Sequence, residues 1–172
     1  MACTAILARV LSEQSPFTAG RHRPKIPPAP FRMPPLVTRR RVEFRDTDAA
    51  GIVHFSAFFF WMESAEHELL RSASVAVVDR GADGIDTSWP RVSASCDYVS
   101  AARFGEELDI AVTVEAVGRS SVTYGFAFSQ AGRDVARGRV VAVRCRMHPG
   151  RKPEAVPIPD DIVARLSEFH RA

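Results

Sequence analysis

The chain has 172 residues, 46% hydrophobic and 25% charged, an ordinary composition for one globular domain with some chain to spare. Its net charge of +3 is uneven: residues 1–32 hold five Lys or Arg against one acid, and the remainder carries 18 basic and 19 acidic residues. A near-neutral body excludes a nucleic-acid footprint, no apolar run reaches the ~20 residues of a membrane span, and the scattered Cys3, Cys96 and Cys145 signal neither a zinc motif nor a disulfide framework.

Residues 1–36 read as a tail. Seven of the twelve prolines lie there, and proline-rich, acid-poor sequence cannot bury enough to order itself. Met1–Ser12 followed by arginines has the look of a transit peptide, and Ala2–Leu11 that of a short signal core without a charged flank. The simplest reading is an extension with Met33 as the start. Reduced thiols and the lack of an apolar span fit a cytoplasmic protein. One domain is expected over residues 37–172.

Val37–Arg45 reads as a strand, because Val42 and Phe44 alternate with charged residues. A turn, Asp46–His54, follows. From Phe55 to about Ala73 apolar residues recur at three- and four-residue spacing, which predicts a long helix apolar on most sides. Ser74–Ser88 reads as a loop. Four strand-like runs come next: Trp89–Val99, Leu108–Val117, Ser121–Ser129 and Val135–Met147. Short turns separate the last three, which favours an antiparallel meander. Asp160 is placed to cap a final short helix through Ile162, Leu166 and Phe169. One apolar helix against an antiparallel sheet is an α+β arrangement, with sheet edges left for a second subunit.

Within this order, Asp46-Thr47-Asp48-Ala49-Ala50-Gly51-Ile52-Val53 precedes an aromatic-rich helix containing Trp61-Met62-Glu63. Asp97-Tyr98, Phe104-Gly105 and Arg119-Ser120-Ser121 follow at strand boundaries. On these residues the chain, from about Arg39 to Met147, resembles the hotdog-fold acyl-CoA thioesterases of the 4-hydroxybenzoyl-CoA thioesterase type. The resemblance implies a curved antiparallel sheet wrapped around a long central helix, and hydrolysis of an acyl-CoA with a short or aromatic acyl group.

Thioester cleavage needs a nucleophile or an activated water, and a donor for the developing oxyanion. The resemblance assigns the carboxylate to Asp48, as nucleophile or as general base, and the donor to the backbone N–H of Phe55 at the helix N-terminus. Gly51 would allow close backbone approach. Asp46, Thr47 and Asp48 are also the residue types that merely cap turns, and Asp46 is given that role. His54 divides between a site base and a turn histidine. Phe55 and Phe58 stand where relatives carry His or Tyr and Tyr, which strips polar groups from the site. Glu63, eight residues beyond Phe55, is the reserve acid/base group or an arginine's partner; Glu66 and Glu68 read as the solvated helix end. The resemblance further implies coenzyme A phosphates on Arg119, Ser120 and Ser121, and an acyl group along Phe58, Phe59 and Met62. It calls for no metal or cofactor, and for a homodimer or homotetramer. A dehydratase or isomerase on the same fold, and an acyl-CoA-binding protein without catalysis, are the alternatives.

Overall fold

The computed structural model describes residues 35–170; the reading of residues 1–34, Met33 included, lies outside them, while Leu36, counted in the tail, opens the first strand. Strand β1 (Leu36–Arg41) is shorter than the alternation predicts. Val42 keeps the inward face and is buried. Beyond it the Asp46 carboxylate accepts the Glu43 N–H at 2.9 Å, and the Thr47 N–H bonds the Phe44 carbonyl at 3.1 Å. These local bonds close a 3-10 turn over Phe44–Asp46 and leave Phe44 in solvent.

Helix α1 spans Ala57–Ser72, roughly 24 Å. Phe58, Met62, Ala65 and Leu69 bury one stripe, widened by Trp61 and Leu70. The predicted enclosure is incomplete, since Phe60 is 68% exposed. Ser74–Ser88, expected as a loop, carries β2 (Val78–Asp79) and β3 (Asp86–Ser88). They join β8 (Cys145–Met147) and β9 (Glu154–Ala155) in a small second sheet. Strands of two or three residues are too short for alternation to reveal.

The main sheet contains β4 (Arg91–Tyr98), β5 (Glu107–Val117), β6 (Ser121–Gln130) and β7 (Arg133–Val143). Its order is β1-β5-β6-β7-β4, and every neighbouring pair is antiparallel. The expected meander is β5-β6-β7. Leu108, Ile110, Val112 and Val114 of β5 and Val122, Tyr124, Phe126 and Phe128 of β6 are buried at the two-residue period in the same core as the apolar stripe of α1. Each fully buried side chain of this size contributes about 1.5–3 kcal/mol. Gly138 on β7 admits the helix, since a Cβ there would overlap the Met62 sulfur.

The other end of the core is closed by α2 (Asp160–Ser167), where Leu166 and Phe169 are buried. Pro159, not Asp160, holds its cap position. Strand β4 forms one edge of the main sheet and is the least covered of its strands, with Ser93, Ala94, Ser95, Asp97 and Tyr98 all exposed.

The sheet has two distinct ends. At the Glu107 end, the Val42 N–H bonds the Glu106 carbonyl and the Val53 N–H bonds the Ala102 carbonyl, each at 2.8 Å. These bonds seat the whole Asp46–His54 turn there. The β5–β6 turn lies at the opposite end, roughly 33 Å away along β5.

Candidate active site

The Asp46–His54 turn is built from its own polar groups. The Asp48 carboxylate accepts the Ala50 N–H at 2.8 Å, while the Asp48 N–H bonds the Ile52 carbonyl at 2.9 Å and the Gly51 N–H bonds the Asp48 carbonyl at 3.0 Å. Gly51 sits at φ +71, left-handed backbone that side chains disfavour. Nothing lies within 4 Å of a Cβ built there. Its backbone angle by itself calls for glycine, and no described protein atom crowds the space beside it. The Asp48 carboxylate is half-buried, and only one of its oxygens has a partner among the described residues.

Asp46 does fix the turn, through Glu43 as above and through its carbonyl, which accepts the His54 N–H at 2.8 Å. His54 is turned to other work than Asp48. Its Nδ1 lies 2.7 Å from the Ser56 hydroxyl, and its ring rests on Phe55 with centroids 4.4 Å apart.

Phe55 precedes the first helical residue by two positions, with Ser56 as the cap. Its N–H has no acceptor among the described residues. A free N–H at a helix N-terminus, with the helix dipole behind it, attracts developing negative charge. The Phe55 ring is 60% exposed, and its carbonyl accepts the Tyr98 hydroxyl at 3.2 Å. Tyr98, at the end of β4, also packs its ring on Phe58 at 5.3 Å.

Of the acyl-wall residues, Phe58 and Met62 are interior packing. Phe58 meets Trp61, Tyr98 and Phe128 edge to face, and Met62 is fully buried against Gly138. Phe59 is half-buried and is the one member of the set that is neither sealed in the core nor fully exposed.

Glu63 is half-exposed and lies 3.5 Å from the Arg91 guanidinium, which supplies the expected arginine partner. The enclosed carboxylate is Glu66, read from sequence as solvated. It is fully buried and meets Arg91 at 3.1 Å, and Arg91 also meets the His67 ring at 2.9 Å. Burial pushes the Glu66 carboxyl up from its ordinary value, against the pull of Arg91. Burial together with Arg91 holds His67 down. Glu68 is not free either, being bonded to Arg40. The signal for Glu66 was its spacing: it follows Met62 by four residues on the apolar stripe.

Arg119, Ser120 and Ser121 occupy the β5–β6 turn, where the Arg119 and Ser120 carbonyls accept the Ile158 and Arg144 N–H groups, each at 2.8 Å. Within one chain they stand at the far end of the sheet from Asp48. A cavity of about 500 Å³ opens on the flank of the turn formed by Arg45, Asp46 and His54, floored by Ala57, Phe60 and Trp61; Asp48 is not on its wall. No helix among the described residues is long and apolar enough to cross a membrane.

A family model, the thioesterase-like superfamily, matches residues 42–166. A 1,4-dihydroxy-2-naphthoyl-CoA hydrolase of Prochlorococcus marinus is 29% identical over 144 residues, covering 79% of this chain and 91% of that protein. Among solved structures, gentisyl-coenzyme A thioesterase superposes with a TM-score of 0.66 at 25% identity, covering 76% of this chain and 99% of that one. A mutant 4-hydroxybenzoyl-CoA thioesterase in complex with 4-hydroxybenzoyl-CoA superposes equally well, with a TM-score of 0.66 at 20% identity over 78% of this chain and 99% of that one.

Proposed function

The chain belongs to the thioesterase-like superfamily with the hotdog fold, and from that membership we propose that it hydrolyses an aromatic or short-chain acyl-CoA to the free acid and coenzyme A. One observation carries the assignment. At the N-terminus of α1, a single turn combines a carboxylate oxygen on Asp48 and an N–H on Phe55 that have no partner among the described residues. The Phe55 N–H polarises the thioester carbonyl and holds the oxyanion as it forms. Asp48 either attacks the carbonyl carbon, giving a mixed anhydride that water then opens, or takes a proton from the attacking water. Both routes expel the coenzyme A thiolate. The relatives are named for aromatic acyl-CoA substrates, which supports an aromatic acyl group, and Phe55 and Phe59 supply apolar surface beside the turn.

The working unit is a homodimer or a homotetramer built from such dimers. Strand β4 is a free edge, and antiparallel pairing of two β4 edges runs the Tyr98 end of one chain against the Arg91 end of its partner. Arg91 belongs to the end where Ser121 pairs with Val143. Such a dimer therefore brings Arg119, Ser120 and Ser121 of one chain toward the Asp48 turn of the other. There they hold the coenzyme A phosphates that no single chain can place beside its own Asp48.

The test is thiol release from a panel of aryl- and acyl-CoA thioesters by the parent and by Asp48→Asn. The parent cleaves at least one aromatic member, and Asp48→Asn loses at least a hundredfold in kcat. Equal rates would remove Asp48 from the chemistry. They would favour Glu63, which the half-exposed contact with Arg91 keeps as the second candidate base. A parent that binds but cleaves none of them would be an acyl-CoA-binding protein.

A further inference from the structure

We propose that His54 is a positioning residue for the Phe55 peptide. Its neutral imidazole, acting through Nδ1, fixes the direction of the Phe55 N–H, and the ring exchanges no proton with the substrate. The role of Phe55 as oxyanion donor rests on the thioesterase reading; the state of the ring does not.

The hydrogen bonds at Nδ1 fix that state. This nitrogen accepts the Ser56 backbone N–H at 3.3 Å and lies 2.7 Å from the Ser56 hydroxyl. A backbone N–H can only donate. Nδ1 is therefore an acceptor, the hydroxyl donates to it, and the neutral ring carries its proton on Nε2. The opposite tautomer would set an Nδ1 proton against the Ser56 N–H. A ring in this state makes a poor base, since Nε2 already holds a proton and the Nδ1 lone pair is engaged.

The same bonds orient a peptide. The link from the Ser56 N–H back to Nδ1 closes a ring around Phe55, as an Asp or Asn side chain does in an Asx turn. That closure restrains rotation of the His54–Phe55 peptide. His54 is anchored on both sides: its N–H donates to the Asp46 carbonyl at 2.8 Å, and its carbonyl accepts the Ala57 N–H at 3.0 Å. The peptide is trans, so the Phe55 N–H points opposite to that carbonyl, back out of the helix. Ser56 holds the cap position of α1 but makes no side-chain capping bond; its hydroxyl is engaged by His54 instead. The imidazole also rests on the Phe55 ring, with centroids 4.4 Å apart. Backbone, side chain and ring of His54 therefore all bear on the residue that carries the N–H.

Kinetics and spectroscopy test the proposal on the full chain. With an aryl-CoA that the parent cleaves, His54→Ala should lower kcat about 10- to 100-fold while KM stays within about twofold. His54→Asn, whose side-chain oxygen can accept the same Ser56 N–H, should restore kcat to within about threefold of the parent. Asparagine does not titrate, so this rescue excludes proton transfer by residue 54. Equal loss in both variants overturns the proposal, as does an unchanged kcat in His54→Ala or an effect confined to KM. Nitrogen-15 spectra of the neutral imidazole in the parent, assigned by the signal missing from His54→Asn, should show a bare Nδ1 and a protonated Nε2; a protonated Nδ1 overturns the proposal even if His54→Ala fails to fold. If the parent cleaves no thioester, the thioesterase reading fails, and hydrogen exchange still reads the restraint. The Ser56 amide should exchange about tenfold faster in His54→Ala and recover in His54→Asn, and equal exchange in all three proteins overturns the proposal.

Discussion

The Tyr98 hydroxyl donates to the Phe55 carbonyl at 3.2 Å, tying the last residue of the edge strand β4 to the turn that opens α1. The Tyr98 ring rests on Phe58, so the hydroxyl restrains Phe55 just before α1 and the ring restrains Phe58 in its first turn. Burial holds the Tyr98 hydroxyl above the ordinary phenol value, which keeps it a donor at neutral pH. Tyr98 thereby acts as a positioning residue for the Phe55 peptide. Tyr98→Phe removes only the hydroxyl. A neutral hydrogen bond is worth about 0.5–1.5 kcal/mol, so kcat falls about 2- to 10-fold. KM and the melting temperature barely change, because the ring contact survives. A KM effect without a kcat effect would show that Tyr98 serves binding instead.

Much of this site was readable from residue order, and the part that was not has a physical reason. Asp48, Gly51 and Phe55 fall within ten residues, so local hydrogen bonds alone bring them together. Their spacing carried the information. Alternation of apolar residues likewise revealed β5, whose burial repeats every second residue, and β6 and β7, whose burial does not. The position of β4 beside β7 was not readable, because sheet order depends on non-local pairing and not on local pattern. The exchange of roles between Glu63 and Glu66 has the same origin. Both face Arg91, which lies 25 residues beyond Glu66, and only the packed structure decides which carboxylate is enclosed. Arg119–Ser121 matched the family motif, but their distance from Asp48 along β5 emerged only with the sheet.

The Gly138–Met62 contact makes a stability prediction independent of function. A Cβ at position 138 overlaps the Met62 sulfur, and Met62 is fully buried with nowhere to swing. Gly138→Ala should destabilise by about 1–3 kcal/mol, the usual cost of overpacking. Adding Met62→Ala to Gly138→Ala should cost less than Met62→Ala costs alone, since the new methyl occupies vacated space. Urea unfolding of the four proteins in a double-mutant cycle measures this coupling. A coupling energy of zero would show that the helix moves away freely.

Glu66 gives a pH dependence whose sign follows from its raised carboxyl. In the folded state Glu66 holds its proton more tightly than in the unfolded chain. Its contribution to stability is full below its ordinary value of 4.5 and is lost as pH rises through the raised folded value. The buried Glu66 carboxyl leaves one oxygen without a partner among the described residues, and the buried Tyr124 hydroxyl, which feels the Glu66 charge, also lacks one. Glu66→Gln keeps the shape and removes the charge. Its stability relative to the parent should be near equal below pH 4 and rise as pH rises through the raised folded value. Thermal melts across that range decide it. A parent that gains on the variant with rising pH would mean that Arg91 outweighs burial.

Sharing of the site across β4 edges predicts complementation between two damaged chains. On the proposed reading, Asp48→Asn lacks the reacting carboxylate and Arg119→Ala lacks the phosphate contact. If each site takes Asp48 from one chain and Arg119 from its partner, a mixed dimer contains one site with both defects and one with neither. Random reassortment makes half of all dimers mixed, and each mixed dimer has one intact site of two. An equal mixture, denatured and refolded together, should therefore recover about one quarter of parental activity at low substrate, far above either variant alone. If Asp48 and Arg119 served the same site from the same chain, every site in the mixture would carry one defect. Activity would then remain at the average of the two parents of the mixture. Ala94→Arg supplies the control, since it sets two like charges against each other on the exposed β4 edge. It should shift the sedimenting species toward monomer and abolish complementation, while the isolated chain keeps its circular dichroism.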